Sequence, residues 1–328
     1  MQPYLKLVRI PNLVFIAFIQ FVMRQAVIIP ILQMFGFDAT IPTDGLWLLI
    51  AATVLIAAGG YVLNDYFDIK IDQINRPDQL IITRTVSKKQ AMTFYQILTG
   101  LGLLSGLTLS IWTKSFTLGF MFVVITGLLW FYSASYKRQL IVGNVIVAFM
   151  AAMTVLIVAI NEMAFLELSY GKLVFETPIP SHIYAWVGSF AIFSFLTTWI
   201  REIIKDMQDE AGDRELECRT MPIKWGIMKT KIFIYSLIAI TIALLYLLSL
   251  IFVPFTGHLT SQYISYGIVL PLIVLIYLVS KARSATEYAQ ASTLLKFTML
   301  IGVFYSFIFY YLQAKSYGIS IFNLFMVK

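Results

Sequence analysis

Nine apolar stretches recur along the chain, each close to the length of about 20 residues that an α-helix needs to cross a bilayer. They run over roughly 11–35, 46–64, 91–112, 116–134, 140–160, 182–203, 231–253, 262–280 and 293–313. Hydrocarbon offers backbone N–H and C=O groups no partners, so such segments must close their hydrogen bonds internally, as helices. The expected fold is therefore all-α: a polytopic membrane protein whose roughly nine spans form one bundle. Composition agrees. With 59% hydrophobic residues, 12% charged residues and a mean hydropathy of +0.83, the 328 residues are far too apolar for an ordinary soluble domain. The first stretch follows Lys6 and Arg9, exceeds a signal h-region in length and lacks a small-residue cleavage site, so it reads as a retained span.

The connecting segments sort by charge. One set carries Lys6 and Arg9, then Lys70, Arg76, Arg84, Lys88 and Lys89, then Lys137 and Arg138, then the basic residues from Arg201 to Lys231, then Lys281 and Arg283. The alternate set carries Lys114 and Lys172 beside Asp38, Asp44, Glu162, Glu167 and Glu176. By the positive-inside rule the first set faces the cytoplasm of a cell (inner) membrane. Topology thus explains the net charge of +7, and the scattered basic residues bring no RNA- or DNA-binding motif with them. The single cysteine, Cys218, excludes an internal disulfide and a cysteine-rich zinc site, and reads as a free thiol in a cytosolic loop. No obligate protein partner is signalled.

One phrase occurs twice. NDYFDIKIDQINRPD, from Asn64, carries Asp65, Asp68 and Asp72; KDMQDEAGDRELECRT, from Lys205, carries Asp206, Asp209 and Asp213 at the same spacing. Helical steps of three and four keep such side chains on one face. A single acidic run is usually a solvated helix end, but duplication at identical spacing, at the cytoplasmic ends of the second and sixth spans, argues for a shared task. Carboxylates without interleaved His or Cys suit hard cations, and Mg²⁺ characteristically combines carboxylates, water and substrate phosphate oxygens. The six aspartates are therefore the candidate metal ligands and catalytic groups, with Asn64 ligating or orienting a carboxylate. Lys137, at the end of the fourth span in FYSASYKR, Arg76, Arg84 and Lys205 are candidates for holding phosphate.

The four-span offset between the two copies suggests two parallel four-helix units in one domain, about 9–138 and 139–283, followed by a last helix at about 293–313. Asn12 and Asn144, each early in the first helix of its unit, are a fainter echo. Arg24 lies roughly 20 Å along the first span at 1.5 Å per residue, where a charge is expected to snorkel outward or pair with an acid.

These residues carry a resemblance. RIPNLV from Arg9, both acidic motifs and YSASYK are similar to the signatures of the UbiA superfamily of intramembrane prenyltransferases. The second motif most resembles the ether-lipid branch, which alkylates geranylgeranylglyceryl phosphate. Where that branch often reads NRPxRPIPSG, this chain has NRPDQLIITRTVS, with Arg84 near the usual basic position. The resemblance implies a helical bundle around a central cavity, a polar cytoplasmic cap over the acidic motifs and a side opening to lipid. It also implies Mg²⁺-dependent transfer of a prenyl group from a prenyl diphosphate to a lipid or aromatic acceptor. Asn12 joins Asn64, Arg76, Arg84, Lys137 and Lys205 as an expected diphosphate contact. The general base stays open among Tyr136, Glu202 and the motif aspartates, and an aromatic acceptor of quinone or haem O type remains the alternative to the glyceryl phosphate.

Overall fold

The computed structural model describes residues 2–37, 41–75, 77–253, 255, 257–322 and 324–326. Among these, nine helices are long and apolar enough to span a membrane. They are α1 (Ile10–Met34), α2 (Thr43–Phe67), α3 (Lys88–Trp112), α4 (Phe116–Ala134) and α5 (Val142–Tyr170), then α6 (Ile179–Gln208), α7 (Ile227–Phe252), α8 (Leu259–Lys281) and α9 (Ala285–Tyr317). Most begin about a turn before their apolar windows. Ser87 and Gln90 form a reciprocal capping box at the start of α3, and Ser284 and Glu287 do the same for α9, each answering backbone N–H groups that the first helical turn leaves without partners. One small departure from the all-α expectation stands at the end of the chain, where Ser320–Ile321 pairs antiparallel with Phe325–Met326.

Two helices contain a π turn shortly before a proline. Met23–Ile28 precedes Pro30 in α1, and Tyr263–Val269 precedes Pro271 in α8. Proline cannot donate to the helical ladder, and the wider turns rearrange the bonds just ahead of it: Ile29 N–H reaches Arg24 O, and Leu270 N–H reaches Ser265 O.

The first of these turns holds Arg24, which pairs as expected. Its Nε lies 3.3 Å from Glu162 Oε2 with both side chains buried. Arg24 also donates to Ile41 O, while Ile41 N–H donates to Glu162 Oε1 at 2.9 Å. Glu162 is thus not in a connecting segment. Helix α5 continues through Asn161 and Glu162, ten residues past the point where its apolar window stops, because Arg24 satisfies the acid inside the bundle.

The bundle is held by three apolar clusters. One joins α1 through α6 and α9, a second joins α6 to α9, and a third joins the start of α1 to α2 and α3. Close contact between α2 and α3 depends on glycine: a Cβ on Gly59 would lie 2.3 Å from Thr99 Oγ1, and one on Gly102 would lie 2.9 Å from Ile56 N. That contact steadies the end of α2, from which the first acidic motif emerges. Large apolar side chains such as Ile111, Phe116 and Leu250 point away from the bundle, onto the surface a lipid bilayer covers. Short helices at Ile69–Asn75, Glu210–Glu215 and Met221–Trp225 cap the end of the bundle at which α2 and α6 finish.

Candidate active site

The repeated phrase folds the same way twice. Helix α2 stops at Phe67, Asp68 bends the chain at φ −91°, ψ 1°, and the helical path resumes over Ile69–Asn75. Helix α6 stops at Gln208, Asp209 bends the chain at φ −97°, ψ 9°, and the path resumes over Glu210–Glu215. In each copy the middle aspartate closes the long helix, through Asp68 N–H to Asn64 O and Asp209 N–H to Lys205 O. The last aspartate then donates its N–H to the middle one's carbonyl, at 2.8 Å for Asp72 and 3.2 Å for Asp213. The two short helices pack against each other, so the copies face across the end of the bundle.

Each acidic copy is held by side chains from elsewhere. In the first, Arg9 bonds Asp65 at 2.7 Å and lies over the Tyr61 ring, 5.1 Å from its centroid. Asn64 Nδ2 donates to Asp68 Oδ2 at 2.8 Å, and the Lys137 ammonium reaches the same oxygen and, at 3.3 Å, Asn64 Oδ1. Lys137 sits in the tight turn Tyr136–Arg138 after α4, and a Cβ on Gly143 would lie 2.9 Å from Lys137 Cα, so α5 begins pressed against this turn. In the second copy, Asn144 Nδ2 donates to Asp206 Oδ2 at 2.9 Å. Arg219 N–H donates to Arg138 O at 2.9 Å, tying the loop after the second motif to the Lys137 turn.

Electrostatics mark the meeting point of the two copies. Burial, reinforced by the charges of Asp209 and Asp68 and opposed by Lys137, pushes the Asp213 carboxyl up to about 6. Cys218, free and buried, donates its N–H to Asp213 O, and burial with the neighbouring Asp213 raises its thiol. Among the described residues no three His, Cys, Asp or Glu groups stand at metal-holding distance, and the Lys137 ammonium occupies Asp68. The donor chemistry nevertheless fits a hard divalent cation: the facing groups are all carboxylates, and their mutual repulsion at Asp213 is what such an ion relieves.

The expected phosphate contacts divide. Lys137 and Asn64 stand among the aspartates. Lys205 instead bonds Glu202, at 3.0 and 3.2 Å, and Arg201 bonds the same carboxylate at 3.0 Å. Arg84 is exposed in the turn closed by Thr83 N–H and Val86 O, and among the described residues it makes no ion pair with either motif. Arg76 lies outside the described residues. Asn12 meets the Tyr61 hydroxyl beside Arg9. The groups that sequence reasoning left out of the site are Arg9 and Asn144; RIPNLV marked the segment of the first, and the echo of Asn12 marked the second.

The model of the UbiA prenyltransferase family matches residues 27–308. A digeranylgeranylglyceryl phosphate synthase of Sulfurisphaera tokodaii is 30% identical over 264 residues, which cover 77% of this chain and 84% of the relative. Among solved structures, one described as digeranylgeranylglyceryl phosphate synthase in membranes superposes with a TM-score of 0.61 at 23% identity, covering 94% of this chain and 98% of its own. A UbiA homolog from Archaeoglobus fulgidus bound to GPP and Mg2+ superposes with a TM-score of 0.54 at 15% identity, covering 93% and 99%.

Proposed function

The chain belongs to the UbiA prenyltransferase family, and on that footing we propose that it transfers a geranylgeranyl group from its diphosphate to geranylgeranylglyceryl phosphate, in ether-lipid synthesis at the cytoplasmic face of the cell membrane. One observation carries the reading: two acidic motifs in the same bent-helix conformation pack face to face, with a lysine between them on Asp68. The acceptor rests on the similarity to digeranylgeranylglyceryl phosphate synthases.

In this reading Asp65, Asp68, Asp72, Asp206, Asp209 and Asp213 hold Mg²⁺, which supplies neutralisation of the charge on the departing diphosphate. Lys137 leaves Asp68 for a diphosphate oxygen as substrate arrives, with Asn64 keeping the carboxylate in place. Arg9 and Asn144 orient Asp65 and Asp206, and the apolar bundle keeps water from the allylic cation formed when the C–O bond breaks. The acceptor hydroxyl attacks that carbon and must give up its proton. Glu202 is paired with Arg201 and Lys205, and the group that takes the proton stays open among Tyr136, Glu202 and the motif aspartates.

The test supplies purified protein in nanodiscs with Mg²⁺ and geranylgeranyl diphosphate, offering geranylgeranylglyceryl phosphate and 4-hydroxybenzoate in parallel and identifying products by mass spectrometry. The expected product is the digeranylgeranyl ether of the glyceryl phosphate, absent without metal. Product on the aromatic ring alone would keep the prenyl transfer and replace the acceptor.

A further inference from the structure

A cavity of about 70 Å³ lies between α6, α7, α8 and α9, away from the aspartates. Along α6 its wall includes Phe193 and Trp186, about 20 and 30 Å from Asp206 at 1.5 Å per residue. On α8, which enters from the opposite end of the bundle, the wall includes Thr260 in the first turn. The cavity therefore occupies the half of the membrane farther from the acidic motifs. Two local features make the space. A Cβ on Gly302 would lie 2.3 Å from Phe193 Cε1, so the ring rests directly against the α9 backbone. On α8, the wall residues Ile264 and Ile268 both belong to the π turn Tyr263–Val269, whose wider bonding interrupts the regular helix surface.

The rings of Phe190 and Phe193 close the inner side. They also line a gap of about 20 Å³ between α1, α5, α6 and α9, which admits about one water, so a chain starting at the aspartates meets this wall before the larger space. Elsewhere protein encloses the cavity only in part, and Leu250 of α7 and Tyr266 of α8, beside wall residues, are 83% and 72% exposed toward lipid. The hydroxyls on the wall are engaged with protein. Ser189 Oγ donates to Ala185 O at 2.6 Å, Ser249 Oγ donates to Tyr246 O at 2.8 Å, and the Thr260 and Tyr305 hydroxyls bond each other at 3.0 Å. A buried water needs several polar partners, and at this depth the surrounding solvent is hydrocarbon. At about 10–15 Å³ for each water-sized group the cavity admits about five of them, a stretch of one chain and not a whole lipid.

We propose that this cavity is a site for a resident membrane lipid, which inserts part of one hydrocarbon chain among α6, α7, α8 and α9 from the leaflet opposite the acidic motifs. The chain supplies the dispersion contacts that an open apolar space would forfeit. It also fills the interruption that the π turn leaves in α8. The occupant is membrane lipid and not the prenyl donor, because the Phe190 and Phe193 rings stand between the cavity and the aspartates. The site stands whichever acceptor the enzyme uses.

Trp186 reports on the site, since it lines the cavity yet is only 6% exposed and so lies out of reach of lipid that stays outside. The full chain is placed in nanodiscs of phosphatidylcholine with or without bromine on the acyl chains, because bromine quenches tryptophan emission on contact. Subtracting the emission of Trp186→Phe from that of wild type isolates Trp186 from the remaining tryptophans. Brominated chains should quench the Trp186 emission in wild type. The quenching should be lost in Ser249→Phe and in Ile264→Phe, which fill the cavity from α7 and from α8. An unquenched Trp186 in wild type, or equal quenching in filled variants that still unfold cooperatively, would overturn the site. Should neither filled variant fold, quenching of the buried Trp186 in wild type decides alone. Relief of the quenching by an unreactive geranylgeranyl thiodiphosphate with Mg²⁺ would make the occupant the donor's tail and overturn the assignment to membrane lipid.

Discussion

Replacing Asn144 by alanine removes a single hydrogen bond, from Nδ2 to Asp206 Oδ2 at 2.9 Å, and leaves the carboxylate in place. Both residues lie where water replaces the lost donor poorly, with Asn144 only 7% exposed. A hydrogen bond to a charged group contributes about 1.5–3 kcal/mol. At 1.36 kcal/mol per factor of ten, this corresponds to about 10- to 150-fold in whatever step uses the oriented carboxylate. Loss of a group that orients a metal ligand typically costs about 10- to 100-fold in affinity, which brackets the same range. Diphosphate release followed against Mg²⁺ concentration in nanodiscs reads the effect directly. Asn144→Ala should need about 10- to 100-fold more Mg²⁺ for half-maximal rate, in a variant that still unfolds cooperatively and whose Tm falls by no more than one lost hydrogen bond accounts for. An unchanged Mg²⁺ dependence in a variant that folds normally, with Asp206→Ala inactive in the same assay, would refute the claim that Asn144 prepares Asp206 for a cation.

Glu162→Leu strands the buried Arg24 and should destabilise the fold by about 3–5 kcal/mol, whereas the double change Arg24→Met with Glu162→Leu should recover most of the loss; thermal unfolding in detergent checks both, and a single variant as stable as wild type would contradict the pairing. The Asp213 carboxyl is raised to about 6, well above the usual carboxylate range, so the metal-free protein gains stability from it below about pH 4 and loses that contribution as pH rises through about 6. Because a metal needs the ionised form, the Mg²⁺-induced rise in Tm should run the other way, weak at pH 5 and growing through about 6. An Mg²⁺ effect that ignores pH across this range, or one equally steep in Asp213→Asn, would contradict the assignment.

The parts of this account that were legible in the sequence are those encoded locally. Hydropathy marked all nine spans because a bilayer imposes the same length and polarity on each. The aspartate spacing was visible because both copies lie within single short segments, and their common bend follows from that common spacing. Partners far apart in sequence were not legible. The α5 window ended at Asn161 and Glu162 because two polar residues look like a loop until Arg24, 138 positions earlier, is known to lie beside them. Arg9 and Asn144 were not placed in the site, since their aspartates lie 56 and 62 positions away. Lys205 shows the reverse case: its place in the motif suggested phosphate, but helical period turns it toward Glu202 three residues back.

The central claim is that the two acidic motifs act as one site. A double-mutant cycle on their bending residues tests it most directly: Asp68→Asn, Asp209→Asn and the pair, each assayed for Mg²⁺-dependent binding of an unreactive geranylgeranyl thiodiphosphate in nanodiscs. If both motifs hold the same ligand through shared cations, each single change should abolish most of the metal-dependent binding, and the double change should add little more. Losses that add fully in the double variant, or strong metal-dependent binding that survives Asp209→Asn, would show two independent acidic segments and contradict the account.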